Sequence, residues 1–338
     1  MSSQVEAEIR QIPDAVDRQL REVGPVYREI GQRLGRQNLN VAISNARGTS
    51  DHAATYLKYL FEIEAGIPVA SIGPSVVSVY GAKLKLKDQL CVTLSQSGAS
   101  RDLILLQQAA SAAGATTLAI VNDVSSPVAE AAELLAPIHA GPEIAVAATK
   151  TYVCSLVAIA SIVAAMEDNA PLLAAIDQLP AVLGEALDQD WSRAVDALAQ
   201  ARSTFTLSRG PGMTVASEAA LKLKETCGMH AEAYSAAEVR HGPIALAKPK
   251  FCALVFSSRD NGRDSILDAD KMLRASGATV LRCGADGAAE LPFAAPAHPL
   301  LDPISQAVSF YTCIGKVARA RGLDADRPNN LSKVTVTV

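Results

Sequence analysis

Three segments of this chain recur in the same order further along it. AISNARGTS (42–50) returns as TLSRGPGMT (206–214), DQLCVTLSQSG (88–98) as KFCALVFSSRD (250–260), and AASAAGATTLAIV (109–121) as KMLRASGATVLRC (271–283). The offsets are 164 (Ile43 to Leu207), 161 (Cys91 to Cys252) and 163 (Gly114 to Gly277). A period this long is not a solenoid repeat. It marks the tandem duplication of a whole domain, and 338 residues is a length that holds about two.

Each copy alternates short apolar runs with longer helical ones. In the first copy the expected strands are Leu39–Ser44, Val69–Ile72, Leu90–Ser95, Thr117–Val121 and Leu134–Ile138, with helices such as Ser50–Ala65 and Arg101–Ala113 between them. That alternation builds βαβ units. Aromatics are only 4% of the chain, so the core is Ala, Val, Leu and Ile, which suits helices packed on a parallel sheet. The expected fold is therefore α/β, two tandem doubly wound parallel sheets flanked by helices. N-terminal helices are expected over 1–35, the first domain over 36–168, and a helical linker over 169–201, one or two helices broken near Pro180. The second domain is expected over 202–323, with a polar tail over 324–338 ending in VTVTV.

Composition excludes several function classes. Lys plus Arg number 31 and Asp plus Glu 35, a net charge of −4, which argues against nucleic-acid binding through bulk charge. The six cysteines lack metal-ligand spacing and several lie in apolar runs, as buried hydrophobes of a reducing compartment do. The N-terminus has no apolar signal core. The most apolar helical stretch, Tyr152 to Met166, is shorter than the ~20 residues a bilayer requires. A soluble cytoplasmic protein with no membrane partner is expected.

Ligands of open parallel sheets bind at the carboxyl ends of the strands. There the first copy has two hydroxyl-rich loops that each open a helix, NARGTSD (45–51) and SQSGASRD (95–102). Ser50, Ser95, Gln96, Ser97 and Ser100 offer neutral donors beside helix N-termini, which suits a phosphate. Simple helix capping by the same side chains is the alternative. Neither a Walker loop nor GxGxxG is present. In the second copy SSRDNGRD (257–264) lacks the SQSG pattern. Its helix SEAALKLKETCG (217–228) instead places Glu218, Lys222 and Glu225 on one face, and a solvated row of ion pairs is the plain reading of that face alone. HAEAYSAAEVRHGP follows, with His230, Glu232, Glu238 and His241. No HExxH or other strong ligand spacing occurs, so no metal is expected, and proton transfer on a phosphorylated sugar suits these groups better. Trp191 reads as packing. His139 and His298 have no acidic partner in view and read as core or surface histidines. His52 either touches substrate or merely follows a helix cap.

Taken together, RGTS, AGIPV, TLSQSGAS, AGPEIAVAATK, EAALKLKE, HAEAYSAAEVRHGPIAL and RPNNLSKVTV make the chain resemble the sugar isomerase (SIS) family in its double-domain form. Within that family it is most similar to the isomerase half of the glutamine-dependent glucosamine 6-phosphate synthases. The resemblance runs from about residue 48 to the C-terminus. It implies that Thr49, Ser50, Ser95, Gln96, Ser97 and Ser100 bind the sugar phosphate, and that Val146 lines the substrate. It implies Glu225 as the base moving a proton between carbons 1 and 2, Lys222 as the stabiliser of enediol charge, and His241 as the ring-opening group, supplied from a partner subunit. Lys333 would contact the open sugar. Ala148 stands where the family has Ser, and Arg47 where it has Cys, which changes the pocket wall.

The chain begins Met1-Ser2-Ser3 and its first cysteine is Cys91, so the synthases' glutaminase chemistry is not expected of it. The leading expectation is a glucosamine-6-phosphate deaminase that releases ammonia and fructose 6-phosphate. Ammonia-dependent synthesis and another phosphosugar aldose–ketose isomerisation are the alternatives. A non-catalytic sugar-phosphate sensor is the reading from another class, opposed by the four retained reactive side chains. The expected partners are a phosphorylated hexose or hexosamine and a second copy sharing His241. No cofactor is expected.

Overall fold

The computed structural model describes residues 3–333. The VTVTV ending lies outside the described residues. The chain divides into two compact units. The first holds residues 14–143 and 150–177, and the second holds the segment up to Pro13, residues 144–149 and residues 178–333.

Two helices lead in, α1 (Gln4–Arg10) and α2 (Ile12–Gly35). The first unit then alternates β1 (Ala42–Asn45), α3 (Thr49–Leu60), β2 (Val69–Ser71), α4 (Ser75–Ser78), β3 (Leu90–Ser95), α5 (Arg101–Ala112), β4 (Thr116–Val121), α6 (Pro127–Glu130), β5 (Leu134–Pro137) and α7 (Lys150–Met166). The strands form one parallel sheet in the order β2-β1-β3-β4-β5. LCVTLS of β3 is buried at every position, as a central strand covered on both faces must be. The apolar helix α7 is likewise buried along nearly its whole length. Among the described residues no single helix is long and apolar enough to cross a membrane.

The second unit contains α9 (Leu179–Leu187), α10 (Ser192–Gln200), β6 (Ser203–Ser208), α11 (Met213–Cys227), β7 (His230–Ser235), β8 (Cys252–Phe256), α12 (Arg263–Ala275), β9 (Thr279–Cys283) and α13 (Asp302–Ala320). Its sheet has the parallel order β7-β6-β8-β9. The duplication is visible in the register itself. Paired residues of the first and third strands are 48 positions apart in both sheets, as in Ala42 with Leu90 and Thr204 with Cys252. A single parallel bridge, Cys283 to Leu291, stands where the first sheet has its fifth strand. Gly114 and Gly277 end α5 and α12 in the same way, at φ of 85° and 82°. At each helix end the next N–H reaches back to a last-turn carbonyl, Ala110 or Leu273.

The expected linker of one or two helices is three, α8 (Ala170–Ile176), α9 and α10. The chain breaks at Asp177 and Gln178, because Pro180 sits in the first turn of α9, where its missing N–H costs nothing. Trp191 is buried, with its ring against Phe256 and Phe310 and its indole N–H donating to the Pro292 carbonyl at 2.9 Å. All six cysteines are buried and unpaired, and burial pushes the Cys91 thiol up to about 12.

Candidate active site

In the first unit β1 has β2 on one side and β3 on the other, so the chain leaves β1 and β3 in opposite directions and opens a crevice between their ends. The loops after β1 and β3 flank it. Asn45 ties them together from beneath, donating its amide to Thr93 Oγ1 at 3.0 Å and to the Leu103 carbonyl at 2.9 Å. Ser95 is nearly buried, and its hydroxyl accepts from the Gly98 N–H at 3.0 Å, folding SQSG back on itself. Gly98 has a φ of 60°, and a Cβ there would lie 2.0 Å from the Ser126 hydroxyl. Only glycine fits this turn.

Gln96, Ser97, Ser100, Thr49 and Ser50 are partly exposed around these loops. Ser100 is the N-cap of α5 and Gly48 that of α3, and neither helix is capped by the side chain of its N-cap residue. The simple capping alternative is therefore not realised at Ser100. Two twelve-residue helices thus begin beside the crevice with their positive ends toward it. Burial pushes the Asp51 carboxyl up, partly offset by His52 and Arg47.

One group here is not a neutral donor. Arg47 donates through Nε and Nη2 to Asp102 Oδ2 at 3.0 and 2.7 Å, joining the β1 loop to the first turn of α5. These residues are 55 positions apart, and no local pattern pairs them. His139, read as lacking an acidic partner, lies 3.0 Å from a Glu22 carboxylate oxygen on α2. The partner is remote in sequence and came into reach only through folding. His298 accepts from the Leu300 N–H at the head of a short turn.

In the second unit α11 carries a cluster of three ionisable side chains. Lys222 Nζ lies 2.5 Å from Glu225 Oε2 and 3.3 Å from Glu218 Oε1, and Glu218 Oε1 accepts from the Tyr311 hydroxyl of α13 at 3.1 Å. The plain reading of this face alone, a solvated row of ion pairs, does not hold. Lys222 and Glu218 are completely buried, because this face of α11 turns inward to Tyr311, and only Glu225 is partly exposed, at 20% of its side chain. Burial works against the Lys222 ammonium, but the two carboxylates outweigh it and hold its pKa above the usual lysine range. Glu225 is the member of the trio with an open side. Glu218 and Tyr311 were absent from the sequence-derived site; the i, i+4 spacing to Lys222 signalled the first, and nothing local signalled the second.

His241 follows the short turn Glu238–Arg240 and is exposed, with no side-chain hydrogen bond among the described residues. Lys333 is the last described residue and is half-buried. Val146 and Ala148 lie in the irregular segment 144–149 of this same unit. Glu8 of α1, itself buried, holds that segment by accepting from the Ile144 N–H at 2.6 Å and the Ala145 N–H at 3.3 Å. No sequence signal pointed to Glu8. Among the described residues no cluster of three His, Cys, Asp or Glu side chains is arranged to hold a metal.

The SIS domain model matches residues 42–165 and 197–287. A glutamine–fructose-6-phosphate aminotransferase (isomerizing) of Thermus thermophilus is 33% identical over 330 residues, 92% of this chain and 54% of the relative. The chain therefore spans about half the length of that relative. A crystal structure from Silicibacter pomeroyi DSS-3, named as a candidate phosphosugar isomerase, superposes with a TM-score of 0.91 at 39% identity, covering 96% of this chain and all of that one. The glucosamine-6-phosphate deaminase of Thermotoga maritima shares the fold, with a TM-score of 0.82 at 20% identity over 99% of this chain and all of that one.

Proposed function

The chain belongs to the SIS domain family, and on that premise we propose that it is a phosphosugar aldose–ketose isomerase acting as a glucosamine-6-phosphate deaminase. The observation that carries this reading is the buried Lys222 ammonium 2.5 Å from the partly exposed Glu225 carboxylate. Aldose–ketose interconversion needs a base for the carbon-2 proton and a fixed positive charge as the enediolate forms. This pair supplies both.

In the proposed sequence the phosphate is anchored by Thr49, Ser50, Ser95, Gln96, Ser97 and Ser100. His241, contributed by a second copy of the chain, moves the proton that opens the ring. Glu225 takes the proton from carbon 2 of the open amino-aldose and returns it to carbon 1, while Lys222 steadies the developing negative charge. The carbon–nitrogen bond becomes an imine at carbon 2. Water adds to that carbon, the carbon–nitrogen bond breaks, and ammonia leaves with fructose 6-phosphate. Lys333 contacts the open chain, and Val146 lines the sugar. Anchoring the phosphate end orients the reacting end, which removes much of the entropic barrier.

The test is ammonia and fructose 6-phosphate release from glucosamine 6-phosphate by the purified protein. Glu225→Gln should lower turnover about 10²- to 10⁴-fold while still binding the sugar phosphate. A folded wild type that releases no ammonia overturns the deaminase reading. Interconversion of a nitrogen-free ketose and aldose phosphate would then assign the same groups to simple isomerisation. Mixing Glu225→Gln with His241→Asn tests the shared histidine. Recovered activity supports a dimer, and none argues for a site within one chain.

A further inference from the structure

We propose that Arg47 is a specificity-determining residue for the phosphoryl group. One edge of its guanidinium straps the two crevice loops together, and its other edge donates to the bound phosphate. This rests on the phosphosugar reading above and goes beyond its neutral cradle of hydroxyls and helix ends.

The strap joins the two loops that flank the crevice. Nε and Nη2 of Arg47, in the loop after β1, converge on Oδ2 of Asp102, in the first turn of α5. Asp102 is locked in turn, its Oδ1 accepting from the Leu103 N–H at 2.9 Å, while the Asn45 amide holds the Leu103 carbonyl. The carboxylate is 1% exposed and the guanidinium 48%, so the ion pair has its negative end inside the fold and its positive end facing out. Nη1 has no partner among the described residues. A free planar edge with parallel N–H donors, held by its other edge, suits a tetrahedral oxyanion. A phosphate monoester carries nearly two negative charges near neutrality. Hydroxyls supply hydrogen bonds to it but no charge, and Arg47 supplies the charge. Because the strap also sets the spacing of the loops, the donors are ordered before the ligand arrives, which reduces the cost of binding.

The experiment measures inorganic phosphate and glucosamine 6-phosphate binding by calorimetry, and steady-state kinetics, for the wild type, Arg47→Met and Arg47→Lys. Arg47→Met should weaken both ligands about tenfold or more and raise KM by a similar factor, with kcat nearly unchanged. Its affinity should also fall less steeply with salt. Arg47→Lys should recover only part of the loss, because an ammonium cannot bridge to Asp102 and present a second edge at once. Unchanged phosphate affinity in folded Arg47→Met overturns the inference. If that variant does not fold, Arg47→Met combined with Asp102→Asn removes both charges, and wild-type phosphate affinity in the double variant overturns it equally. A wild type that binds neither phosphate nor the sugar phosphate overturns the phosphosugar reading itself, and the inference with it.

Discussion

The two units repeat one strand order and one register, yet they furnish the carboxyl ends of their sheets in opposite ways. In the first, the loop after β3 is SQSGAS, and the Arg47 guanidinium faces out. In the second, the loop after β8 is SSRDNG. Its Arg259 is taken up by the buried Asp302 of α13, at 2.6 Å, and by the Pro296 carbonyl. Burial pushes the carboxyls of both Asp260 and Asp302 up, and Arg259 pulls the Asp302 carboxyl back only in part. An anion entering there would meet the protein's own acids. The helix that follows the first strand differs too. α3 begins with Thr49 and Ser50, whereas α11 begins with Met213 after Gly-Pro-Gly and carries its ionised groups two turns further along. The two copies thus share a fold but differ at these ends, with hydroxyl-rich loops and an exposed Arg47 in one and a buried Lys–Glu pair on α11 in the other.

The largest expected effect breaks that pair. Lys222→Met leaves the fully buried Glu218 without its cation and should lower the stability of the second unit by about 3–5 kcal/mol, measured by urea unfolding. A loss under about 1 kcal/mol would mean the trio is not a coupled buried network. In the first unit Gly98→Ala forces a side chain into the left-handed region and against Ser126. It should cost about 1–3 kcal/mol and abolish phosphate binding. Retained phosphate affinity would remove the SQSG loop from the crevice's function. Glu8→Ala leaves the Ile144 and Ala145 N–H groups without their acceptor. A loss of about 1–2 kcal/mol is expected, with a raised KM for the sugar phosphate through the Val146 segment. An unchanged KM would separate that segment from the substrate.

The smallest effect concerns pH. The Arg282 hydrogen bond, aided by Arg263, holds the Asp286 carboxyl in the second unit well below the usual carboxylate range. With the folded pKa depressed, its stabilisation is complete above the ordinary value near about 3.9 and disappears as the pH falls toward the folded one. The wild type should therefore lose stability below about pH 4 more steeply than Asp286→Asn, by about 1 kcal/mol or less because the carboxylate itself is 30% exposed. Parallel pH profiles would exclude this contribution.

Much of the architecture was legible because its signals are local. A run of buried apolar residues makes a central strand wherever it occurs, and β2, β3, β4 and β5 fall within a residue or so of their expected spans. The linker came apart into three helices rather than one or two because the break follows from how Pro180 seats in a first turn, a matter of one or two residues. The Glu218–Lys222–Glu225 face of α11 was legible as a face, but its burial was not, and read alone it looked solvated. Spacing shows that Glu218, Lys222 and Glu225 are neighbours, but not what lies opposite them, and Tyr311 is 93 positions away from Glu218.

The sequence by itself therefore determined the duplication, the parallel sheets, the hydroxyl-rich loops and the order of the ionisable groups on α11. All of these depend on residues near one another along the chain or on a repeat of the same pattern. Only the tertiary structure decided that Lys222 is buried between Glu218 and Glu225, that Glu8 holds the Val146 segment, and that Arg47 reaches Asp102. The last two join residues many positions apart, and the first depends on burial, which is a property of the packed fold.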